Sequence, residues 1–303
     1  MSVLRFYLFG RFQIQCGQGP HTEVESHKLQ ELLAYLVLHR DHTHPRESVA
    51  SLLWSECTTT QSKKHLRHVL WQAHEILDPY VEQSTGSLLC AAADWVGLDP
   101  GAQFWSDVAA FQEIYDRTQG TPGTELEAGQ VEALQAALCL YRGDLLPGCY
   151  LDWCLFERER LQNLYLAMLD KLMAYHEAHR ELEACLEVGA RILRVDRASE
   201  RTHRRLMQVY YAAGDRTSAL RQYGRCAQAL REELSVEPGR RTQALYRQIH
   251  DDSLEAASPD LTEATPDLSP IDSLSQALRH FRQLEAALID LQRQVQQDVQ
   301  SLE

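Results

Sequence analysis

The chain has 303 residues, with 43 acidic and 30 basic side chains, a net charge of −13 and 44% hydrophobic residues. That length admits two ordinary domains with a core in each, and the charge excludes a molecule that wraps nucleic acid over its whole surface. No run of about 18 uncharged apolar residues occurs, and the opening "MSVLRFYLFGRFQIQ" carries arginines inside its apolar pattern, so a cytoplasmic protein without a signal peptide or membrane span is expected.

The aromatic and branched runs over residues 3 to 9 and 11 to 15 suit two short strands with Gly10 at the turn, and a third is expected around "HTEV". From Ser26, placed as an N-cap, the period becomes helical: Leu29, Leu32, Leu33, Leu36 and Val37 predict a first helix ending near His39. Pro45 disfavours helical geometry at His44, and "RESVASLLW" restarts a short second helix with Val49, Leu52 and Leu53 on one face. A third helix follows in "QSKKHLRHVLWQAHEIL", where Leu66, Val69, Leu70, Ala73, Ile76 and Leu77 form a continuous apolar stripe. This stretch holds three cations and one carboxylate in an acidic chain. "SLLCAAADWVGLDP" then reads as a hairpin around Ala93 and Asp94.

Charge is uneven along the chain. Up to residue 77 there are 8 Lys and Arg against 7 Asp and Glu, whereas residues 251 to 303 hold 3 against 11. Contact with a polyanion must therefore be local, and the opening third opposes it least.

Strand, strand, helix, helix, basic helix, hairpin is the order of a winged helix-turn-helix. "LRFYLFGRFQI", "LQELLAYLVLHRD", "RESVASLLW", "KKHLRHVLWQAHEIL" and the hairpin resemble the OmpR-like DNA-binding domain of the Streptomyces antibiotic regulatory proteins. "YRGDLLPGCYLDWCLFERERLQNLY" is similar to the opening of the bacterial transcriptional activator domain that follows it in that family. Downstream, Tyr175, Ala178, Ala184 and Gly189 recur 35 residues later as Tyr210, Ala213, Ala219 and Gly224, and Pro238 closes the unit. A period near 34 with small residues where helices cross is the signature of tetratricopeptide helix pairs. The matching segments cover roughly residues 1 to 250.

The expected fold is mainly α. An α+β winged helix-turn-helix spans residues 1–110, and an all-α tetratricopeptide-like activator domain spans 111–250. An acidic flexible linker, rich in Ser, Pro and Asp, covers 251–270, and an amphipathic, coiled-coil-like helix covers 271–303, with Leu274, Leu278, Phe281 and then Leu284, Leu288, Leu291 and Val295 at heptad spacing.

In a winged helix the third helix enters the major groove, where lysines and arginines neutralise phosphates or donate to guanine, and the hairpin reaches toward the neighbouring minor groove. Lys63, Lys64 and Arg67 meet that need, with His68 and Ser62 beside them. Arg46, at the start of the second helix, offers its guanidinium and backbone amides to a phosphate. The bland alternatives are a solvated helix face for the first group and a rim ion pair for Arg46. Many relatives carry further arginines at the end of the third helix, where this chain reads "WQAHEIL", a departure that implies fewer base contacts, compensated by oligomerisation. Trp54 and Trp71 sit in the apolar pattern and are expected in the core.

Eight of the 13 histidines precede residue 77, among them His39, His42 and His44; loop solvation is the expectation, with no metal, because no cysteine or carboxylate completes a ligand spacing. The eight cysteines include no C-x-x-C pair, so most are expected as small core residues, Cys149 and Cys154 included. Asp152, Trp153, Glu157, Arg158 and Arg160 are expected to hold helix faces together. No phosphate-binding glycine loop, nucleophile elbow or H-E-x-x-H occurs, so no enzyme and no cofactor are expected. The resemblance implies an activator that binds repeats in double-stranded promoter DNA and contacts RNA polymerase, and a homodimer is expected from the C-terminal helix, which pairs with its copy or packs on the repeats. An adaptor that binds a protein partner, and a regulator that senses an unknown small-molecule or protein effector through the repeats and last helix, are the rival readings.

Overall fold

The computed structural model describes residues 4–17, 19–78, 88–99 and 101–253. β1 (Leu4–Tyr7) pairs antiparallel with β2 (Gln13–Cys16) from Leu4↔Cys16 to Tyr7↔Gln13, and β3 (His21–Glu23) pairs antiparallel with β2. Gly10 makes the reversal at φ 73°, a conformation that would strain a residue with a side chain. Alternation sends Leu4, Phe6 and Ile14 into the core. The first strand is shorter than expected, because Leu8 and Phe9 leave the sheet to meet a later segment.

α1 (His27–Leu38) starts at Ser26 as predicted, although the Ser26 hydroxyl makes no capping bond. β4 (His44–Pro45) is two residues long and leads directly into α2 (Arg46–Leu53). α3 (Thr59–Leu77) is the cationic helix, and β5 (Leu89–Ala91) and β6 (Trp95–Leu98) form the predicted antiparallel hairpin. Neither β4 nor its role is legible in the sequence: it pairs antiparallel with β6, so the wing is a three-stranded sheet in the order β4-β6-β5. Leu29, Leu32, Leu33 and Leu36 of α1, Val49 and Leu53 of α2, and Leu66, Val69, Leu70 and Ala73 of α3 close on one another and on Val96 and Leu98 of the wing. This is a winged helix.

β7 (Phe104–Ser106) runs parallel to β1 along its open edge and completes a sheet of order β3-β2-β1-β7. It passes straight into α4 (Asp107–Thr118), followed by α5 (Ala128–Leu140), α6 (Asp152–Ala178), α7 (Leu182–Val195), α8 (Glu200–Ala212), α9 (Arg216–Leu234) and α10 (Arg240–His250). These are the expected helix pairs. Among the described residues no helix is long and apolar enough to cross a membrane. The acidic linker beyond Ser253 and the C-terminal helix predicted over 271–303 lie outside the described residues.

The two parts meet in a polar and aromatic seam. Asp107, 1% exposed, accepts hydrogen bonds from Leu8 N (2.9 and 3.0 Å, one to each oxygen), Phe9 N (3.1 Å) and Val108 N (2.8 Å). Phe9 packs edge-on to Phe111 at 5.3 Å and against Tyr141 at 4.8 Å, and Tyr141 stacks on Tyr165 at 4.3 Å. Arg158 donates to the carbonyls of Leu145, Leu146 and Cys149, which fixes the loop that faces β1, and Trp153 packs on Tyr35 of α1 at 5.3 Å. Arg160 pairs with Glu157 at 2.7 Å. Arg158 and Trp153 hold faces together, as expected, whereas Arg160 and Glu157 pair with each other within α6 and Asp152 is exposed in its first turn, where the helix dipole favours a carboxylate. Four cysteines, Cys149, Cys154, Cys185 and Cys226, are buried thiols; Cys90 and Cys139 are exposed, so the core expectation holds for half of the set.

The internal repeat is real in α6–α7 and α8–α9 but unequal in its packing. A Cβ built on Gly189 would lie 2.5 Å from Leu206 Cδ2, so any larger residue there would force the Leu206 side chain to move. Gly224, its repeat partner, has nothing within 4 Å. Arg205 of α8, nearly buried, binds both oxygens of Glu177 (2.8 and 2.9 Å) and also Asp170, tying α8 to α6 with the two-pronged geometry that only a guanidinium provides.

Two stability outcomes follow from this packing. Gly189→Ala should destabilise the fold by about 1–3 kcal/mol through overpacking, whereas Gly224→Ala should be neutral or stabilising by up to about 1 kcal/mol; urea denaturation of the two variants compares them. Asp107→Ala leaves three backbone donors without an acceptor and should cost about 3 kcal/mol at pH 7. Burial pushes the Asp107 carboxyl up from 3.8 to about 6, against the pull of its backbone hydrogen bonds. A raised carboxyl pKa favours the folded state below the unfolded value, and that contribution is lost as pH rises through about 6. The stability gap between wild type and Asp107→Ala should therefore be wider at pH 5 than at pH 7, as read by urea denaturation at both.

Candidate nucleic-acid interface

The loop after α2 ends at Thr58, which caps α3: its hydroxyl accepts from Gln61 N and the Gln61 side chain returns to the Thr58 amide. With both ends of the box made, α3 begins as a fixed rod of 19 residues. Its buried stripe is Ser62, Leu66, Val69, Leu70, Ala73 and Leu77. The opposite side carries Thr60, Lys64, Arg67, His68, Trp71 and Glu75, all exposed.

Lys64, Arg67 and His68 therefore stand together on the outer row, and neither Lys64 nor Arg67 has an ion-pair partner among the described residues. Lys63 faces sideways toward α2, with Nζ 3.2 Å from Glu47 Oε1. Both groups of that pair are about half-exposed or more, so solvent screens it and it holds Lys63 only weakly. Ser62 does not join the row. It is 2% exposed and its Oγ donates to Thr59 O at 3.1 Å, because position 62 lies half a turn from position 64 on the buried side. Its place as a nucleic-acid contact is corrected accordingly.

Arg46 is also placed differently from expectation. Its backbone N donates to Asp94 O at 2.8 Å and its Nη1 donates to Ala92 O at 3.0 Å, so the amide offered to a phosphate is already used. The residue ties the tip of the wing to the start of α2. Between α3 and the wing runs an open cleft lined by Arg46, Lys63 and Arg67, with Glu47, Asp94 and Trp95 on its other walls. The cations and carboxylates alternate there, and the unopposed positive charge is on the outer row of α3.

The tryptophans divide. Trp54 packs against the core as expected, under Lys28 Nζ at 5.9 Å from its ring and stacked with His65 at 5.8 Å. Trp71 does not: it is 55% exposed and stacks on His68 at 6.1 Å with an interplanar angle of 18°. Its place in an apolar run suggested the core, but its helical angle, about 160° from Ala73 at 100° per residue, is the signal that places it outside. Trp95, on the wing, is the other exposed indole, and no periodicity in so short a strand marks it.

The histidines around 39 to 44 are not a solvated loop cluster. His39 and His44 pack on Tyr35 at 4.6 and 5.0 Å, and only His42 is exposed. Burial pushes the pKa of both packed rings below the ordinary value, so they are neutral at pH 7 and add no charge to the interface. Among the described residues no group of three or more His, Cys, Asp and Glu could hold a metal ion.

Residues 106–250 match the family model of the bacterial transcriptional activator domain. A solved structure of Mycobacterium tuberculosis EmbR in complex with a low-affinity phosphopeptide is similar, with a TM-score of 0.60 and 20% identity over 83% of this chain. This chain spans 66% of the length of that one. No curated protein matches the sequence.

Proposed function

From a winged helix joined to a bacterial transcriptional activator domain, the architecture of the Streptomyces antibiotic regulatory protein type, we propose that this chain is a sequence-specific DNA-binding transcriptional activator. The observation that carries the reading is the exposed row of α3, where Lys64, Arg67 and His68 project from a helix whose opposite side is locked into the core. Such a rod fits the major groove, and its cations meet phosphates or the N7 and O6 edge of guanine. Lys63 exchanges Glu47 for a phosphate at little cost, since an exposed ion pair is worth about 0–1 kcal/mol. Arg46 acts indirectly, by holding the wing in position beside the groove.

The activator domain is the part proposed to meet RNA polymerase and to receive regulatory signals. EmbR has been seen with a phosphopeptide, and a protein partner for the activator domain of this chain is part of the same proposal. Self-association rests on the heptad spacing of residues 271–303. Two linked winged helices would compensate for the short cationic row through effective concentration.

Binding of the full chain to a duplex selected from a random pool, followed by fluorescence anisotropy across a salt series, tests the DNA reading. Lys64→Ala with Arg67→Ala should weaken binding at least tenfold and flatten the slope of log K against log salt by about 2. Unchanged affinity and slope would refute the interface. Deleting residues 260–303 should convert a dimer into a monomer by light scattering; a mass that stays at the same multiple of the protomer removes the proposed role of that segment.

A further inference from the structure

The indole of Trp71 stands in the middle of the row assigned to the groove, and its role there rests on the DNA-binding reading. With Lys64 taken as zero and 100° per residue, Arg67 lies at roughly −60°, His68 at roughly +40° and Trp71 at roughly −20°. On its own face Trp71 thus follows Arg67 and His68 by one turn and Lys64 by two, precedes Glu75 by one, and stacks near-parallel on His68.

More than half of this indole meets water, and an aromatic side chain of that size gains most from being covered at an interface. The neighbours restrict what can cover it. An apolar protein surface closing over Trp71 would also bury Lys64 and Arg67, which have no counter-charge among the described residues, and stranding a cation in that way is strongly unfavourable. A polyanion that presents an apolar group between its charges satisfies both requirements. In the major groove every base edge offers a donor or an acceptor, and the one methyl group is the C5 methyl of thymine.

We propose that Trp71 is a specificity-determining residue that packs on the C5 methyl group of a thymine in the major groove, with His68 as its stacked support and Lys64 and Arg67 on the flanking phosphates or guanines. The chemistry is contact between an indole and one methyl group, so it selects an A·T pair in a defined orientation without a hydrogen bond.

Substituting deoxyuridine for thymine removes that methyl and leaves every hydrogen-bonding group in place. The full chain is titrated against its selected duplex with each thymine replaced in turn, for wild type, Trp71→Ala and Trp71→Phe, after circular dichroism melts establish that the variants fold. Wild type should lose about fourfold at one or two thymines, the value of one buried methyl. Trp71→Ala should bind the unmodified duplex more weakly and show no further loss at those same thymines, while Trp71→Phe keeps part of the sensitivity. The same pattern of deoxyuridine losses in Trp71→Ala as in wild type, or no sensitive thymine at all, overturns the assignment while DNA binding itself stands. Failure of wild type to retain any duplex overturns this assignment and the DNA reading together.

Discussion

One buried carboxylate sets how the winged helix and the helical repeats are joined. Asp107 is the first residue of α4, and it receives the amides of Leu8 and Phe9 just where β1 ends. Those amides have no strand partner there, and an unpaired buried donor is costly, so the Asp107 carboxylate decides where the chain can leave the sheet. Because Asp107 also follows β7 without a gap, the same contact lines β7 up parallel to β1. Phe9 then enters the ring cluster of Phe111, Tyr141 and Tyr165. The carboxylate gives the seam its position and the rings give it area. Among the described residues the result is one core running through both parts.

A net charge of −13 is compatible with a cationic reading surface because charge acts locally in salt. At physiological ionic strength exposed charges more than about 8 Å apart are largely screened. What a polyanion senses near α3 is Lys64, Arg67 and His68, together with a Lys63 that is half engaged by Glu47. Acidic groups close enough to matter are Glu47 and Asp94 in the cleft and Glu75 on the row itself, which ends the favourable surface after Trp71. With so short a cationic row, the proposed binding by one copy would be modest and only shallowly dependent on salt, so selectivity would have to come from shaped contacts as well as charge.

Helical periodicity made the core of the winged helix legible: the stripes of α1 and α3 fall where the spacing predicts them. It misled where residue type or membership of an apolar run was read ahead of angle. By type Trp71 belongs in a core and Ser62 on a surface, yet the position of each on the helix puts it on the opposite side. β4 and β7 were invisible for a different reason. Two and three residues carry no period, and β7 exists only through its pairing with a strand about a hundred residues earlier. The repeat was legible as a pattern of small residues, but whether a glycine is needed depends on the neighbouring helix: Gly189 faces Leu206, and Gly224 faces nothing.

The wing is positioned from the repeat side of the molecule through a continuous set of contacts. Trp153 of α6 packs on Tyr35, and Tyr35 packs on His44. His44 is paired with Val96 of the wing, and two residues later Arg46 grips the carbonyls of Ala92 and Asp94. The Trp153 indole Nε1 is buried without an acceptor, the only such side-chain atom among the described residues, so the ring is held by packing alone and contributes shape rather than a hydrogen bond. Close-packed aromatic contacts of this kind resist small displacements, because a gap of even half an ångström forfeits much of the attraction. Movement of α6 relative to α1 is therefore resisted at Tyr35 and, through His44, at the root of the wing, which keeps the hairpin and the cationic row of α3 in a fixed relation to the repeats.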